Sequence, residues 1–104
     1  MLRPFPVLRY NEKKGVTAVD TLESLRAEIR RTDEEMRELF VRRCRLAARI
    51  GAYKARRGLP VEDKAHEADN RQVLAAAVDL RWREYYMSFL QTVMELAKRV
   101  QRNE

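Results

Sequence analysis

The sequence predicts an all-α fold: three helices per protomer, the first unusually long, with two protomers joined as a homodimer. Three observations carry this. The 104-residue chain is 45% apolar but has only three Gly and three Pro, which leaves little turn material for a sheet protein. Apolar residues recur at steps of three and four from Leu22 to Tyr53, the period of one helix face. Neither Pro nor Gly interrupts that run before Gly51.

Residues 1–19 carry Pro4, Pro6 and Gly15 without a helical period, and they are expected to form an extended or disordered arm. The character changes at Asp20, which with Glu23 has the form of a capping box. Leu22, Leu25, Ile29, Met36, Leu39, Leu46, Ile50 and Tyr53 then mark one helix over 21–57. At 1.5 Å per residue this helix is on the order of 55 Å long. A compact globule of this size has a radius of gyration of about 13 Å. A lone chain could not cover so long an apolar stripe, so two first helices are expected to pack against each other in a homodimer. Gly58 is placed to end the first helix in a left-handed cap, with Pro60 just beyond it. A second helix is expected over 64–79, capped by Asp63, with Val73, Leu74, Ala77 and Val78 inward. A third follows from Trp82 to Gln101, with Trp82, Tyr86, Phe89, Val93, Ala97 and Val100 as core.

The formal charge of +6 and a pI near 9.9 favour anionic ligands without choosing among nucleic acid, an acidic surface and a small polycarboxylate. No apolar run is long enough to cross a bilayer, and the N-terminus lacks the apolar core of a secretion signal, so a soluble, cytoplasmic protein is expected. The single cysteine, Cys44, falls in the helical pattern as a packed or half-packed thiol, and it offers neither a disulfide nor a zinc cluster. The arginines of the first helix are interleaved with Glu28, Asp33, Glu34, Glu35 and Glu38, the mixture of a solvated, salt-bridged face. No short recognition helix follows a tight turn, and nucleic acid is not expected as a partner.

Polar residues in apolar positions point to chemistry. Arg43 sits where the stripe Met36, Leu39, Leu46, Ile50 calls for an apolar side chain. A guanidinium there requires an anion, either a carboxylate of the protein or a bound ligand. Lys54, eleven residues on, is about three turns away and points to nearly the same side. Arg26 falls roughly 100° round the helix, so it could serve such a cavity only from a partner chain. Gln101 shares the side of Leu90, Met94 and Ala97; it is either a surface amide at a helix end or a neutral donor to an oxygen.

The series "LRAEIRRTDEEMRELFVRRCRLAARIGAYKARRGLPVEDKAHE", followed by "FLQTVMELAKRVQ", resembles the all-α chorismate mutase family over residues 22 to about 102. The pattern that carries the resemblance is Leu25-Arg26, Ile29, Asp33, Arg42-Arg43, Ile50-Gly51, Lys54, Gly-x-Pro-Val-x-Asp at 58–63, a Glu in the next turn and Gln101. The resemblance implies that residues 20–104 form a chorismate mutase-like domain in an intertwined homodimer, rearranging chorismate to prephenate on the way to phenylalanine and tyrosine. It implies that Arg43 and the other protomer's Arg26 clamp the two carboxylates of the substrate. Lys54 and Gln101 would bind the ether oxygen, and Asp63, through its backbone, and Glu67 would hold the ring hydroxyl. Forked guanidinium donors suit a dicarboxylate. A pericyclic step needs a folded substrate and charge stabilisation rather than a nucleophile, metal or cofactor, and none of these is expected.

Two residues depart from the family pattern. His66 stands where an Arg commonly precedes the Glu, and an imidazole, unlike a guanidinium, loses its charge near neutral pH. The resemblance would let His66 contact the substrate, although a His on the helix surface fits the same position. Arg71 lies about 140° round a helix from it and replaces it poorly. Ala97 stands where some members place a small hydroxyl residue. Three activities follow from these departures. The first is a chorismate mutase of ordinary or reduced activity, its rate raised by a partner enzyme. The second is a mutase acting on 4-amino-4-deoxychorismate, and the third an isochorismate pyruvate lyase. Glu67, by requiring a donor on the ring, places chorismate first.

Overall fold

A computed structural model of the chain describes residues 20–104. They contain three helices, α1 (Leu22–Arg57), α2 (Lys64–Ala76) and α3 (Leu80–Gln101), and no strand. The arm expected over residues 1–19 lies outside the described residues. No described helix is long and apolar enough to cross a membrane.

The chain divides into two compact units, one ending at Arg37 and the other spanning Glu38–Glu104. In the first, α1 starts one residue later than the expected cap. The box joins Thr21 and Ser24: the Ser24 N–H donates to Thr21 Oγ1 at 3.0 Å, and the Thr21 N–H donates to Ser24 Oγ at 3.0 Å. Asp20 and Glu23 do not form it, because Thr21 is the residue whose carbonyl accepts the first helical bond, from the Leu25 N–H at 2.9 Å. Leu22, Ile29 and Met36 are exposed, Ile29 to 62%, and Arg26 is exposed beside them.

The second unit holds the core, in which Ala47, Ala75, Leu90, Val93 and Met94 are buried. The last turn of α1 closes as the sequence predicts, with Gly58 at φ 65°. The Gly58 N–H donates to Ala55 O at 3.3 Å and the Leu59 N–H to Lys54 O at 2.9 Å, a cap that reverses the chain and leads it back along α1. Gly51 is the close approach between α1 and α3. A Cβ there would lie 2.5 Å from the Gln101 carbonyl oxygen and 2.7 Å from its Cα, so only glycine admits the end of α3 at this distance.

Asp63 caps α2 by accepting from the His66 N–H at 3.1 Å, as expected. The helix stops at Ala76 rather than 79, because Asp79 leaves helical geometry to cap α3, accepting from the Arg81 N–H at 2.8 Å. Arg83 folds back to donate to the Ala76 and Val78 carbonyls that α2 leaves unpaired.

The inward faces match those expected in part: Val93 is buried and Val78, Tyr86, Ala97 and Val100 are half-buried, while the other expected positions are exposed. In α2 and the turn after it, Val73 is 62% exposed and Leu74 and Ala77 are exposed too, whereas Ala75 is buried and Glu67, Arg71 and Val78 are half-buried. In α3 the covered arc centres on Leu90, Met94, Ala97 and Gln101; Trp82 and Phe89 lie roughly 80–100° round from Leu90 and stay exposed, Trp82 to 52%. Apolar content located these helices. Which of their sides meets α1 depends on the small residues Gly51 and Ala47.

Candidate active site

The second unit contains a cleft of about 440 Å³, a volume suited to a small molecule. Leu46, Ala47, Ile50, Val61, Met94 and Ala97 supply its apolar wall, and its polar groups come from α1, α3, the turn after Gly58 and the start of α2.

From α1, Arg43 and Lys54 both line the cleft, as their three-turn spacing predicts. Arg43 is half-buried, and among the described residues no carboxylate forms an ion pair with it. Lys54 donates to Val61 O at 2.7 Å, a carbonyl brought over it by the Gly58 cap, and to Gln101 Oε1 at 3.1 Å. That second bond fixes the amide: with Oε1 turned to the ammonium, Gln101 keeps its Nε2 hydrogens for another acceptor. Gln101 is thus no loose terminal amide, and the contact at Gly51 is what brings it to Lys54.

The first turn of α2 contributes Asp63, His66 and Glu67 to the lining. The Asp63 carboxylate is engaged in capping, through its bond from the His66 N–H. His66 is exposed at the cleft edge. Arg71 points away, donating to Gln91 Oε1 at 3.4 Å and lying 3.9 Å from the Met94 sulfur, and it does not line the cleft. Arg26 belongs to the first unit and is not among the lining residues.

Sequence reasoning missed Lys98. It is 6% exposed and lines the cleft. Its Nζ lies 3.4 Å from Glu67 Oε1, 3.4 Å from Glu62 Oε2 and 3.3 Å from Glu95 Oε2. Burial works against its ammonium, but hydrogen bonds with Glu95 and Glu67, the charge of Glu67 and the hydrogen bond with Glu62 outweigh it and raise the pKa above the ordinary 10.5. The signal was present in the sequence: Lys98 falls four residues after Met94 on the covered arc, where a cation needs counter-charges.

The site therefore places one unpaired guanidinium and a coupled ammonium–amide pair around an apolar cleft. A carboxylate and a buried ammonium stand at its α2 end. Such a set can bind an anion of small size, donate to an oxygen that gains charge, and accept from a hydroxyl.

A family model described as chorismate mutase type II matches residues 25–102. No curated protein and no solved structure matches the chain.

Proposed function

We propose, from the premise that the chain belongs to the chorismate mutase type II family, that it rearranges chorismate to prephenate in the cleft between α1, α2 and α3. The observation that carries this is the unpaired Arg43 in the same cleft as the Lys54–Gln101 pair. The reaction breaks the ether C–O bond and forms a C–C bond in one intramolecular step, so no group leaves and no proton moves. Its barrier falls when the side chain is held over the ring and when charge growing on the ether oxygen meets fixed donors. Arg43 binds a carboxylate in the forked manner that only a guanidinium allows. Lys54 and the Nε2 end of Gln101 donate to the ether oxygen. Glu67 accepts from the ring hydroxyl, Asp63 adds its backbone, and His66 stands at the edge as a further contact.

The second carboxylate calls for a second cation, and Arg26 of a second protomer supplies it in this reading. A homodimer is supported by the exposed apolar residues of α1, Leu22, Ile29, Met36, Leu39, Leu46, Ile50 and Tyr53, a stripe too rich to leave in water. Three incubations of the purified protein test the activity: with chorismate, with isochorismate, and with the chorismate analogue bearing an amino group in place of the ring hydroxyl. Prephenate from chorismate as the dominant product is expected. Pyruvate released from isochorismate alone would replace the mutase reading with a lyase.

A further inference from the structure

Lys98 has no role in the scheme above, yet it is the most deeply buried charged side chain among the described residues and borders the cleft beside Glu67. We infer that Lys98 sets substrate choice: by standing against Glu67 it selects a neutral hydroxyl over an ammonium at the ring position that Glu67 contacts. This rests on the assignment of Glu67 as the acceptor for that position.

The physical basis is the charge that an incoming group meets. A lone carboxylate on an apolar wall attracts an ammonium far more than a hydroxyl, because only the ammonium gains an ion pair. Here the carboxylate is already paired, with Lys98 Nζ 3.4 Å from Oε1. A hydroxyl can still donate to Glu67 without penalty. An ammonium would arrive within a few ångströms of a second, immobile ammonium, and that repulsion is little screened at a site so poorly exposed. Glu62 and Glu95 reach Nζ from outside the cleft lining, their side chains 49% and 56% exposed, and offset part of its positive charge from the solvent side. Lys98 also stands on α3, so it furnishes a cation near the α2 turn.

The test is the ratio of kcat/KM for chorismate to that for the amino analogue, measured on one preparation so that the fraction of active protein cancels. Lys98→Met should shift the ratio toward the amino analogue by about tenfold or more, while Lys98→Arg should largely restore it. Glu62→Gln combined with Glu95→Gln leaves Lys98 less compensated and should move the ratio the other way; these surface changes also decide the matter if Lys98→Met does not fold. An unmoved ratio in the Glu62/Glu95 variant, or in a folded Lys98→Met, overturns the inference. Wild-type protein inactive on both substrates would instead sink the functional assignment and this inference with it.

Discussion

At the scale of residues, the proposed site would work by pairing charges with groups that are already held. Lys54 is anchored to Val61 O and Gln101 Oε1, so in the proposed reaction its ammonium would need little reorganisation when an ether oxygen gains charge. Arg43 has no ion-pair partner among the described residues, which in the proposed scheme leaves it for a carboxylate of the substrate. Arg43→Ala and Lys54→Ala should each lower kcat/KM for chorismate by at least about a hundredfold with the far-ultraviolet circular dichroism unchanged, since neither side chain belongs to the buried core. Full activity in either variant would show that the cleft is not where catalysis happens. His66 offers a second test. His66→Arg adds a permanent cation at the cleft edge and should raise kcat/KM on chorismate severalfold; an unchanged or lower value would mean that Lys98 already meets the need for charge at this end, or that the imidazole has its own task.

At the scale of elements, one glycine governs the geometry. Gly51 lets the backbone of Gln101 rest against α1, and it is this contact that puts an amide from the last turn of α3 within 3.1 Å of Lys54. Gly51→Ala drives a methyl into backbone atoms that cannot swing aside, so the helices must part. We expect a loss of about 1–3 kcal/mol in stability, read by chemical denaturation, together with a fall in kcat from the broken Lys54–Gln101 bond. Unaltered stability and kcat would mean that the helix ends adjust more freely than their packing implies. The helices themselves were legible in the sequence because their signals are local: the apolar period, the Gly58 cap and the Asp63 cap each depend on a few neighbouring residues. The end of α2 was less so. Asp79 is a good cap for α3, and a residue that caps one helix cannot extend another, but the pattern alone does not say which role it takes.

At the scale of the whole molecule, the proposal is that two chains complete each site, and it yields a number. If Arg26 acts across a homodimer and Arg43 within its own protomer, Arg26→Ala and Arg43→Ala proteins are each inactive, but a mixed dimer keeps one intact site. Random exchange makes half the dimers mixed, so about a quarter of wild-type activity should return on mixing after dissociation and reassembly. No recovery would place both arginines in one chain's site or remove one of them from it. What the sequence by itself determined is the all-α class and the three helices, with Arg43, Lys54 and Gln101 as lining candidates because helical period fixes which side chains of one helix share a side; Asp63, His66 and Glu67 were added by the family resemblance. Only the tertiary structure decided what those side chains meet: that Gln101 turns its oxygen to Lys54, that Arg43 finds no carboxylate among the described residues, that Trp82 and Val73 stay outside the core, and that Lys98 sits buried among Glu62, Glu67 and Glu95. Those outcomes depend on the rotation and spacing of separate helices, which small residues such as Gly51 and Ala47 set through contacts between parts of the chain far apart in sequence.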